Sequence, residues 1–143
     1  MEREKIFPNA INNCFSFLLE IGFSIYDKVE CDPNAFGNGY YRFSSDTVGL
    51  EIVLDRRQVL VAIGKISQDR RDWLEWSHIL KAYARNVKAY DFDLDIGLQV
   101  RRISELLQKY CTELLGGDLN NEDLLKEIED AYGKKFLRRF LQN

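Results

Sequence analysis

The chain has 143 residues, 45% of them hydrophobic and 30% charged, with 23 acidic against 20 basic side chains for a net charge of -3. That length and composition suit a single domain, residues 1–143, folding on its own apolar core, and they exclude a disordered tail. The acidic balance argues against nucleic acid as a partner.

The first predicted element is a helix, because Ile11, Cys14, Phe15, Leu18 and Leu19 recur at the spacing that gathers side chains on one face. Asn9 is placed to cap its start, and Gly22 follows where a helix commonly ends in a left-handed residue. Alternation then takes over. Phe23, Ile25, Val29 and Cys31 fall on one side of an extended run, with Asp27 interrupting the apolar side.

CDPNAFGNG, residues 31–39, reads as a loop. Beyond it the pattern gives an antiparallel meander with strands near 40–44, 47–55 and 58–66. A turn at Arg56 and Arg57 sets Leu54 against Val59, Ile52 against Val61 and Leu50 against Ile63, so that inward residues face each other. The earlier turn, placed at Ser45 and Asp46, sets Phe43 against Val48 and Tyr41 against Leu50.

After Ser67 the period is helical. Trp73, Trp76, Leu80, Tyr83 and Val87 form one seam, and Ile96, Val100, Ile103, Leu107, Tyr110 and Leu114 form a second, stopped by Gly116 and Gly117. A last helix carries Leu124, Leu125, Ile128, Tyr132, Phe136 and Phe140. The expected fold is therefore α+β: an N-terminal helix, a four-stranded antiparallel meander and three C-terminal helices packed on the sheet.

Few residues suggest chemistry. DFDLDIG, residues 91–97, resembles the start of a calcium loop, but the glycine falls one place late and Arg102 stands where the closing carboxylate belongs. The segment instead reads as an acidic entrance to the following helix, with Phe92 and Leu94 tucked under the sheet. His78 is the sole histidine, no serine lies in Gly-x-Ser-x-Gly, and GNG at 37–39 precedes a strand and lacks the lysine of a phosphate loop. The expectation is no catalytic residue, no metal and no cofactor.

Binding surfaces are better represented. The loop offers Phe36 and Tyr40, and the most aromatic stretch offers Trp73 and Trp76. Glu122, Asp123, Glu127, Glu129 and Asp130 form an acidic cluster that would steer a basic protein partner. The dispersed cysteines Cys14, Cys31 and Cys111 suit reduced thiols, and the charged start MEREKIFPNA lacks an apolar run. Both favour cytoplasmic residence away from membranes.

The stretches YYRFSSDTVGLEIVLDRRQVLVAIG and DWLEWSHILKAYA together resemble small bacterial proteins of unassigned function, some of which are immunity proteins that neutralise a cognate toxin. The resemblance implies action by binding and occlusion, and it supplies no site residue. The leading expectation is a non-enzymatic protein-interaction module. The alternative is a small-ligand-binding or enzymatic domain with a sheet-to-helix cleft near Tyr41, Trp73 and His78.

Overall fold

A computed structural model describes residues 5–32, 34 and 37–116. Along the chain these form α1 (Ile6–Cys14), α2 (Ser16–Glu20), β1 (Ser24–Asp32), β2 (Asn38–Ser44), β3 (Val48–Asp55), β4 (Gln58–Lys65), β5 (Leu74–Glu75), α3 (Trp76–Tyr83), α4 (Ile96–Tyr110) and α5 (Thr112–Leu115). The α+β class is as expected. The sheet gains a fifth strand, the two-residue β5, and its antiparallel order follows the chain, β1-β2-β3-β4-β5. The helix expected after residue 120 lies outside the described residues.

The meander follows its apolar alternation. Leu54 faces Val59, Ile52 faces Val61 and Leu50 faces Ile63, as the pattern requires, and all six are buried on one face. The connecting Arg56 and Arg57 have φ of 50° and 71°. A two-residue turn matched to the strand twist needs positive φ at both positions, and Asn-Gly normally supplies it. Here partners outside the turn hold the arginines: Arg56 N donates to Asn38 Oδ1 at 2.9 Å, and Gln99 Nε2 donates to the Arg57 carbonyl at 2.9 Å.

The other hairpin differs from expectation by two residues. Phe43 faces Leu50 and Tyr41 faces Ile52, because the connection spans Ser45 to Thr47 rather than a two-residue turn. Ser45 Oγ accepts from the amides of Thr47 and Val48, and Ser45 N donates to the Val48 carbonyl. A shift of two returns every side chain to its original face, so apolar alternation alone does not detect it.

The first strand departs further. Ile25 pairs with Phe43 but Asp27 pairs with Arg42, so Tyr26 is an extra residue in a bulge. Beyond it the alternation changes phase. Ile25 lies beside the core-facing Phe43, whereas Val29 pairs with Tyr40 on the opposite face.

The core lies between the inner sheet face and the helices. Phe7 of α1 meets Tyr41 edge-on with ring centroids 5.7 Å apart, and Val100, Ile103 and Leu107 present the seam of α4. Burying each such side chain contributes roughly 1.5–3 kcal/mol. The first helix begins earlier than Asn9 and breaks at Phe15, leaving Leu19 exposed rather than on the buried seam. Gly22, at φ 100°, ends it as expected, with Phe23 N donating to the Leu18 carbonyl.

Two side chains complete the β4 edge where the short β5 leaves it unpaired. Gln99 Oε1 accepts from Val59 N at 2.9 Å, while its Nε2 also reaches the Leu94 carbonyl. Tyr90 Oη accepts from Val61 N at 3.0 Å and donates to the Glu75 carboxylate. Burial, followed by the nearby Glu75 charge, raises the Tyr90 pKa well above its usual value. The phenol therefore stays protonated and keeps its donor role.

Candidate functional site

The helices cover one face of the sheet. On the other, among the described residues, the strands and the segment 70–75 leave a groove of about 590 Å³. Its floor is apolar, formed by Val53, Leu60 and Ala62 with the Tyr40 ring, since these alternate with the core residues of β2, β3 and β4. Charged groups border it.

Trp73 closes one end. The expected helical seam put it beside Trp76, but Trp73 precedes α3 in extended conformation, with φ -67° and ψ 147°. Its indole lies over Gly49 and Gly64, which face each other across β3 and β4. A Cβ at Gly49 would come within 2.3 Å of the ring, and one at Gly64 within 2.5 Å. Trp73 Nε1 donates to the Lys65 carbonyl at 3.1 Å, so its polar atom is satisfied while the ring is 1% exposed.

Arg42 organises the middle of the face. Its Nε donates to Glu51 at 2.6 Å, its Nη1 pairs with Asp27, and its guanidinium stacks 4.0 Å from the Tyr40 ring centroid. Arg70 Nε reaches Glu51 at 3.3 Å, making a neutral cluster of two arginines and two carboxylates. Burial opposes the Arg42 charge, but hydrogen bonds to Glu51 and Asp27 outweigh that effect and raise its pKa. The cluster stiffens a flat, stacked platform, with Tyr40 Oη donating to Asp27 at 3.3 Å.

The far end, near the β3–β4 hairpin, has a different charge. Asp32 and Asp55 line the groove there, and neither has a cation within ion-pair distance among the described residues. Arg70 and Arg71 line the Trp73 end. Glu51 and Asp55 are four positions apart on β3, roughly 13 Å along the strand. The groove is thus acidic at one end, while at the other the arginines are paired, Arg70 with Glu51 and Arg71 with Asp69 at 2.9 Å.

Of the residues expected to bind, Tyr40 and Trp73 come together on this face. Trp76 does not: it is fully buried on the other side, donating its Nε1 to the Ala89 carbonyl at 3.3 Å. Phe36 and the acidic set Glu122, Asp123, Glu127, Glu129 and Asp130 lie outside the described residues. Of the residues expected to border a sheet-to-helix cleft with His78, Tyr41 belongs to the inner core and Trp73 lies on the outer face over Gly49 and Gly64.

Asp95 caps α4 by accepting from Leu98 N at 2.9 Å, while Asp91 accepts from Asp93 N. The acidic entrance is therefore realised. Phe92, however, is 40% exposed and stacks on Tyr90 instead of tucking under the sheet. Among the described residues no helix is long and apolar enough to cross a membrane. No protein-family profile, curated protein or solved structure matches the chain.

Proposed function

We propose that the protein is a non-enzymatic interaction module that receives a protein partner on the outer face of its sheet. The observation that supports this most is the groove itself: an apolar floor of Val53, Leu60 and Ala62, beside the stacked Tyr40–Arg42 pair, left uncovered by every described helix. Aromatic and arginine side chains held in place before contact lose little freedom on binding, which is why they dominate interface energetics.

The lining charges are Arg42, Arg70 and Arg71 against Asp32, Glu51, Asp55 and Glu75, a sum of 3 - 4 = -1. A partner presenting a basic residue to the Asp32–Asp55 end, and apolar side chains to the floor, complements this arrangement. A toxin neutralised by occlusion is the partner class suggested by the resemblance described above.

Leu60→Glu places a carboxylate on the floor without disturbing the inner core, so it separates binding from folding. In affinity capture from source cells, a protein recovered in stoichiometric amount by the parent and lost with Leu60→Glu is the expected result. Equal recovery by both forms, or no recovered protein, overturns the proposal.

A further inference from the structure

The sheet has one edge that no described residue covers. β1 is nine residues long, pairs only with β2, and exposes most of its side chains. Seven large hydrophobic residues are exposed among the described ones, and five lie at or just before this strand: Leu19, Ile21, Ile25, Tyr26 and Val29. Unpaired backbone groups beside exposed apolar side chains form a template for a further strand.

We infer that this edge pairs with the same edge of a second copy of the chain, antiparallel about a two-fold axis at Val29. An axis perpendicular to the sheet makes one residue face itself and pairs its neighbours reciprocally. Centred on Lys28, it would oppose two ammonium groups; centred on Asp27, two carboxylates. Like charges directly opposite each other are destabilising. Centred on Tyr26, it would place Ile25 against Asp27.

Centred on Val29, the arrangement is complementary. Val29 meets its own copy, and Lys28 of each chain faces Glu30 of the other. Lys28 and Glu30 already share one side of the strand, where they pair within the chain at 2.9 Å, and both are half exposed and available to a second copy. Tyr26 and Val29 add apolar surface on the groove side, so two grooves would flank one continuous sheet.

The register shifts at Tyr26 and at Glu30–Cys31 interrupt the ladder on both sides of Val29, so backbone pairing across the axis is short, the Lys28–Glu30 contacts are made by side chains, and association is reversible and concentration-dependent. Growth stops at two. Among the described residues the opposite edge is occupied by β5, Tyr90 and Gln99 and offers no second template of comparable length.

Sedimentation velocity on the full chain, over a wide range of concentration, tests this directly. The parent should shift from monomer to dimer. Lys28→Glu or Glu30→Lys alone turns two attractive pairs into two repulsive ones and should weaken dimerisation about tenfold or more. The double reversal Lys28→Glu/Glu30→Lys should restore it, with unchanged circular dichroism showing that all forms fold. A parent that stays monomeric, a dimer insensitive to both single reversals, or a double reversal that fails to restore association overturns the inference.

Discussion

The two edges of the sheet are finished in opposite ways. At β4, a two-residue strand covers Ala62 and Ile63, and side chains from distant parts of the chain satisfy the amides of Val59 and Val61. At β1, nine residues run along the surface with apolar side chains exposed. The cost of an unpaired backbone group is the same at both edges when water is excluded. The difference therefore reflects solvent: the β4 edge is roofed by α3 and α4 and must find internal partners, whereas the β1 edge remains open to water or to another strand.

The sharpest way to break this contrast is Gln99→Ala, which orphans Val59 N and the carbonyls of Arg57 and Leu94. A loss of about 3 kcal/mol in denaturant unfolding is expected. A loss below about 1 kcal/mol would mean that water already serves this edge. Tyr90→Phe removes the hydroxyl shared by Val61 and Glu75 and should cost about 1–2 kcal/mol.

The closed side should also respond to acid. Burial lowers the His78 pKa from its ordinary 6.5, opposed by Glu75 and aided by Lys81. The unfolded chain then takes up a proton that the folded chain refuses. Stability is fully present above about pH 6.5 and declines as pH falls toward the folded value. His78→Gln should flatten that decline in thermal melts recorded across the window; an identical slope would assign the acid response to carboxylates.

At the open edge the smallest change is expected. Val29→Thr keeps the β-branched shape of an exposed residue and should alter folding stability by less than about 0.5 kcal/mol. A larger loss in the monomer would show that the edge is covered in solution.

Much of this architecture was legible in the sequence, but unevenly. The β3–β4 register emerged because Leu50, Ile52 and Leu54 have only one in-phase set of partners across a short turn. The β2–β3 register did not, since a two-residue slip leaves the faces unchanged and the deciding bonds come from the Ser45 hydroxyl. Aromatic spacing placed Trp73 in a helix, yet a contrary signal was present. The register that pairs Leu50 with Ile63 also pairs Gly49 with Gly64, leaving bare backbone on the outer face for a large ring to fill. In β1, Asp27 interrupted the alternation where the bulge occurs, and the change of face at Val29 followed from it.

The tryptophan resting on two glycines ties three distant positions into a single heritable trait. Gly49 cannot gain a side chain while Trp73 remains in place, and neither can Gly64. Loss of the ring would in turn open the end of the groove and remove the reason for both glycines. Divergence at these sites should therefore be concerted, with small residues at the paired positions accompanying a large ring at the third. Such a triplet would mark distant kinship even after the charged rim, whose residues meet solvent, had been rewritten.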